Sequence, residues 1–413
     1  MPRRHQTHSG IMHRATKFAA ASAFAVAVLA NASAHAVEPA PESNAQSLLG
    51  ADVQGDNWTV APIVHSDGFV WIFAVKTPYG DFQVNGLRRM KERAQELRAL
   101  QLLEKMSRTK TFGEAMVNAG LAPIRFGRDL VLDPIETVGN FVSGIGKMFD
   151  SVVSSVQSPG AGRDPFFESV TGITKAERDL ALELKVDPYS DFTPLRAGLE
   201  DVAHVIAAGN LPVTAAISVI PGGAGIAVST ASTASQVSSA VYNHTSLELA
   251  EIVTKKIRGL GVDEATTKKF VENTFYSPVD AFVIAEALEN LSAADSSVFI
   301  AGAAAANSFD VAKFNRYRAE LLTKESVHLG TLKGFVLVSG VALNRDASGR
   351  LVAAFPFDEV AWTDTVSRSL TRLSADIGAL RETRPPVFAS VGALSPIAAS
   401  ELKKLGWEIM NLD

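Results

Sequence analysis

The sequence predicts an α+β, predominantly α-helical protein, with a helical body, an N-terminal β-hairpin and a small C-terminal α/β domain in the order β-β-α-β-α-β. Three observations carry this. Apolar residues recur at intervals of three and four through the middle of the chain, the period of a helix buried along one side. Two runs of β-branched and aromatic residues flank a Pro78-Tyr79-Gly80-Asp81 turn. Beyond His328, short strand-like runs alternate with capped helical segments. At 413 residues, 47% apolar and 20% charged, the chain is globular and long enough for two or three domains.

Residues 1–36 read as a signal peptide. Arg3, Arg4, Arg14 and Lys17 precede an apolar run from Phe18 to Ala30, and the small residues Ala34 and Ala36 offer cleavage positions, after Ala36 first and after Ala34 second. The run is too short for a membrane anchor, and the polar residues after Arg3-Arg4 favour general secretion over a twin-arginine route. The expected location is the periplasm or the extracellular space. The chain has no cysteine, which excludes a thiol nucleophile, an Fe–S cluster, a Cys-ligated zinc and a lipidated cysteine. Four of the 39 Lys and Arg residues and none of the 44 acidic ones precede Glu38, so residues 37–413 carry a formal charge near −9. Nucleic acid is not an expected partner, because its phosphates require clustered cations.

The segment 37–57, rich in Pro, Glu, Ser, Asn and Gln, is expected to be a disordered linker. Residues 58–157 should hold the hairpin and amphipathic helices. Phe69 to Val75 reads as its first strand and Phe82 to Val84 as its second, and helical spacing begins at Leu87. Arg88, Arg89, Lys91 and Arg93 make a candidate basic patch for an acidic protein partner or a membrane surface; the plainer reading is a solvated helix face. Ile135 to Val156 has strong amphipathic spacing, and 157–162 closes it as a loop.

Residues 163–326 read as all-α. Thr174 and Glu177 form a capping box, Asp187-Pro188 ends that helix, and Thr193 with Pro194 starts the next, which exits at Gly209. The stretch 202–247 contains no Asp, Glu, Lys or Arg, is rich in small residues, and turns at Pro221-Gly222-Gly223. A close-packed helical hairpin over 211–241 suits either a protein core or membrane contact, since small residues allow backbones to approach in both. Helix signals follow at Glu248, Asp263, Ser277-Pro278, after Ser292 and at Phe309.

The region 328–413 should be the small α/β domain. Strands are expected at Leu332 to Leu343, Arg350 to Phe355, Val387 to Val391 and Trp407 to Leu412, with helices at Phe357 to Leu380 and Ser395 to Leu405, the latter closed by Gly406. Nucleophile elbows, phosphate loops and zinc-protease motifs are absent, and His65, His204, His244 and His328 are never three or four residues apart. No metal and no cofactor is expected. The catalytic candidates are Asp358, Glu359 and Asp364, following a strand and opening a helix. They suit an acid/base or cation site at a strand's carboxyl end; alternatively, they complement a helix dipole. The first reading of function is a non-enzymatic binding or interaction protein at the cell envelope, with 211–241 and 135–156 as candidate surfaces. The alternatives are an exported hydrolase using those carboxylates and a membrane-inserting protein using the 211–241 hairpin.

Overall fold

The computed structural model describes residues 37–121, 145, 172–209, 213 and 241–412, and helices predominate in an α+β arrangement. The signal segment, the Pro221-Gly222-Gly223 turn, most of the 211–241 hairpin and all of 135–156 except Ile145 lie outside the described residues. Ile145 is helical and buried against the C-terminal core. Val37–Asp413 forms one compact unit, divided from Met1–Ala36.

The N-terminal sheet has six strands: β1 (Glu42–Asn44), β2 (Gln54–Gly55), β3 (Trp58–Val60), β4 (Ile63–Ser66), β5 (Trp71–Thr77) and β6 (Gly80–Asn85). The expected hairpin is β5–β6, paired from Ile72↔Asn85 to Thr77↔Gly80. The other edge of β5 is shared, with β3 pairing at Thr59↔Lys76 and Val60↔Val75 and β4 at His65↔Ile72 and Ser66↔Trp71. The register changes between them at Ala61-Pro62, because Pro62 has no N–H to give the ladder. The expected linker at 37–57 is instead structured. Glu42–Asn44 pairs with β4, and the Asn44 side chain accepts from Gln46 N to cap the short helix α1 (Ala45–Leu49). Its polar composition hid two core contacts, Ala45 and Leu49.

Helix α2 (Leu87–Ser107) packs Met90, Ala94, Leu97, Leu100 and Leu103 into the core beneath this sheet. Then come α3 (Lys110–Asn118), α4 (Lys175–Leu184), with the expected Thr174 capping box, and α5 (Thr193–Ala208). Phe192, not Thr193, flanks the start of α5, and its N–H donates to Ser190 Oγ at 3.0 Å. The helical body continues as α6 (Ser246–Gly259), α7 (Glu264–Val271), α8 (Pro278–Leu291), α9 (Ser296–Ala303) and α10 (Phe309–Glu325). Capping side chains at Thr245, Asp263, Ser277 and Ser308 set four of these starts.

The C-terminal sheet runs β13-β11-β9-β8-β7, built from β7 (Leu332–Val338), β8 (Val341–Asp346), β9 (Leu351–Phe355), β11 (Val387–Ser390) and β13 (Glu408–Asn411). The expected strand 332–343 is itself a hairpin: Ser339 (φ 50) and Gly340 (φ 73) form a two-residue turn with both residues left-handed. The last three strands are parallel, linked by crossover helices α11 (Asp364–Ala379) and α12 (Pro396–Lys404). One face of the sheet, with Leu343, Phe355 and Phe388, packs on these helices, and the other, with Ala342, Val352 and Ala354, meets the helical body. Arg318 of α10 bridges β8 and β9, donating to the carbonyls of Ala354 (3.0 Å) and Ala342, just beyond the paired residues Asn344↔Val352. Burial lowers this guanidinium to about 9, and Phe355 lies 4.8 Å beneath it.

Candidate functional site

The three carboxylate candidates separate. The expected helix over 357–380 begins only at Asp364, because Phe357 to Trp362 continues extended and contains β10 (Glu359–Val360), paired in parallel with β12 (Ala393–Leu394). Asp364 lies in the first turn of α11, where a negative charge complements the helix dipole; it is exposed and pairs with Arg368 at 2.8 Å. Asp358 and Glu359 stand outside the helix, near the carboxyl end of β9, so the dipole reading does not apply to them.

Asp358 acts as a clamp. Its Oδ2 accepts from Trp71 N at 2.9 Å and Leu87 N at 2.7 Å, and its own N–H donates to Phe69 O at 2.9 Å. Gly86, with φ 103, precedes α2 without any capping side chain. Asp358 therefore supplies the missing N-terminal acceptor from 271 residues away. Burial pushes its carboxyl up to about 7, against the two N–H bonds, and the nearby Glu359 and Asp67 add to the rise. Glu359 is also raised by burial, with Asp67 and Glu38 adding to it. Glu38 accepts from Trp362 N at 2.5 Å and from Ser395 Oγ. The crevice at the strand ends, where open α/β sheets usually hold ligands, is thus covered by this chain's own Glu38 and its 66–70 loop. Gly392 completes the contact, since a Cβ there would fall inside the backbone of Asp358 and Glu359.

The expected basic patch is mostly internal. Arg89 and Arg93 are buried and share Asp191, with Arg93 at 3.1 Å, and Arg93 also reaches Glu96 at 2.7 Å and lies over the Phe192 ring at 4.4 Å. Arg88 pairs with Glu320 and stands 4.1 Å from the Tyr317 ring centroid. Lys91 is exposed. Tyr317 OH donates to Glu92 at 2.5 Å, and Asp280 takes Lys313 at 2.8 Å and Arg316 at 2.9 Å. These charges tie α2 to Asp191 and to α10, and α10 in turn to α8, so the helix offers a membrane far less charge than its sequence suggests.

An open cleft of about 270 Å3 lies at the other end of α2. Gln101, Glu104, Lys105 and Arg108 form its helical wall, and Asp56, Asn57 and Pro78, from the β2–β3 and β5–β6 turns, face them. Gln101 meets Asn57 at 2.7 Å, Asn57 Nδ2 donates to Tyr79 OH at 3.3 Å, and Tyr79 OH donates to Glu104. At the rim, Lys105 pairs with Asp56 at 2.8 Å, and Arg108 stands 3.9 Å from Glu104. Behind the wall lies the buried Trp58, whose indole N–H has no partner among the described residues. Gly55 separates it from Gln101: a Cβ there would overlap Trp58 Nε1 and stand 2.9 Å from the Gln101 amide. No motif in the sequence marks this cleft. Its signal was a polar stripe at 101, 104, 105 and 108, the spacing of one helix face.

Among the described residues, no group of three or more His, Asp and Glu is placed to hold a metal ion, and no helix is long and apolar enough to cross a membrane. His65 pairs with Glu42 at 3.3 Å and His328 with Glu325 at 2.8 Å. No family model matches the chain, and no characterised protein and no solved structure is significantly similar to it.

Proposed function

We propose that this chain is an exported binding protein of the cell envelope, periplasmic or secreted, rather than a hydrolase working through Asp358, Glu359 and Asp364. The observation that carries this reading is the use made of Asp358. A general acid or base must reach a substrate proton, whereas this carboxyl accepts two backbone N–H groups, and the N–H of the same residue is held by Phe69 O of the 66–70 loop. The polar cleft beside α2, in contrast, is open to solvent. Export is supported by the basic, apolar and small-residue pattern of residues 1–36 and by the division of the compact body from that segment at Val37.

Two measurements test the proposal. Fractionation of cells producing the full chain, followed by N-terminal sequencing, should recover it outside the cytoplasm and starting at Val37. Chromogenic ester, phosphate, peptide and glycoside substrates should show no turnover; turnover abolished by Asp358→Asn in a folded variant would establish the hydrolase instead.

A further inference from the structure

We infer that the cleft between α2 and the two N-terminal turns binds a neutral polyhydroxylated ligand of about one sugar ring. The inference rests on the binding-protein reading and names its ligand class. Charge is the first argument. Asp56 and Glu104 are balanced by Lys105 and Arg108, so the cleft has no net charge with which to draw an anion or a cation. Hydrogen-bonding capacity is the second. The amides of Asn57 and Gln101 each use one N–H within the chain, toward Tyr79 OH and Asn57 Oδ1, and keep the second, and the Glu104 carboxylate keeps acceptor capacity beyond its bond from Tyr79 OH. Adjacent hydroxyls, each both donor and acceptor, can pair with such a row without leaving a polar atom unmatched. Size is the third. About 270 Å3 falls just under the ~300–1,000 Å3 of clefts that hold drug-sized molecules, which suits one ring and not an oligomer. Pro78 gives the one apolar surface, fit for the C–H face of such a ring.

The test uses the full mature chain, residues 37–413, in saturation-transfer NMR and thermal-shift titrations. The probes are glucose, galactose, mannose, N-acetylglucosamine and myo-inositol, with glycine and glutamate as zwitterionic and anionic counterparts. At least one polyol should bind, and Asn57→Ala and Glu104→Gln should weaken it at least ~10-fold. Lys403→Ala, on the remote helix α12, should leave binding unchanged. Melting curves and near-ultraviolet circular dichroism establish that the variants are folded, and Glu104→Gln keeps the side chain's shape should Asn57→Ala unfold. Three results would overturn the inference: no polyol binding at tens of millimolar, binding only of glycine or glutamate, or polyol binding that both folded variants retain. Cleavage of a glycoside at the cleft would refute the binding-protein reading and spare the ligand class. Absence of both binding and turnover would remove the ligand class alone.

Discussion

Asp358 joins three segments through one residue: β5 at Trp71, the start of α2 at Leu87, and the 66–70 loop at Phe69. Its carboxyl sits at about 7 in the folded chain, against ~3.9 for a free aspartate. The folded state therefore holds an extra proton between those values, and this group's contribution to stability is full below about pH 4 and is lost as pH rises through 7. Asparagine keeps an oxygen for both N–H groups and does not titrate. Asp358→Asn should flatten the wild-type decline between pH 5 and 8 and match or exceed the wild type at pH 8. Asp358→Ala strands two N–H groups and should cost about 2–4 kcal/mol at either pH. Urea unfolding at pH 5 and 8 checks the order; an Asn variant as weak as the Ala variant would refute the account. The sequence made Asp358 conspicuous but not its role, because the two N–H groups it satisfies lie 287 and 271 residues away.

At the scale of elements, local chemistry was legible and long-range pairing was not. Thr174 with Glu177 and Ser277 beside Pro278 announce helix starts within four residues, and both capping boxes formed. The Ser339-Gly340 turn was equally local but stood inside an unbroken apolar run, so two strands read as one. β3 and β4 were missed because Pro62 divides them and because each is set by its pairing with β5. The β10–β12 pair depends on a similarly distant contact, the passage of Gly392 against Asp358 and Glu359. Gly392→Ala must displace backbone and should cost at least ~1–3 kcal/mol. Gly378, exposed near the end of α11 with open space around it, is the internal control. Gly378→Ala should raise stability by ~0.5–1 kcal/mol through helix propensity. Thermal melts of both variants decide this, and a neutral Gly392→Ala would show that β12 can move away from β10.

At the scale of the molecule, what joins the N-terminal region to the helical body is a buried ionic network as well as an apolar core. Its members recur as ordinary charges along α2 and α10, which is why the sequence alone suggested a surface patch. Asp191 is its centre. Arg89 and Arg93 hold its carboxyl far below the ordinary carboxylate range, although burial opposes them, and Lys313 and Arg316 likewise keep Asp280 low. A depressed folded-state value reverses the sign found for Asp358: these groups contribute stability above about pH 4, and it is lost as pH falls toward their folded values. The molecule should thus weaken on the acid side through Asp191 and Asp280 and on the neutral-to-basic side through Asp358. Asp191→Asn leaves two buried guanidinium groups without their shared carboxylate and should cost about 3–5 kcal/mol at pH 7. The cost should shrink toward pH 3, since the unfolded wild type gains a proton at this carboxylate there while the folded Asp191 stays ionised. Urea unfolding midpoints from pH 3 to 7 measure the difference. Wild-type and Asp191→Asn profiles that stay parallel throughout would place the acid sensitivity elsewhere, and profiles that converge at low pH would locate it where α2 meets the 187–192 loop.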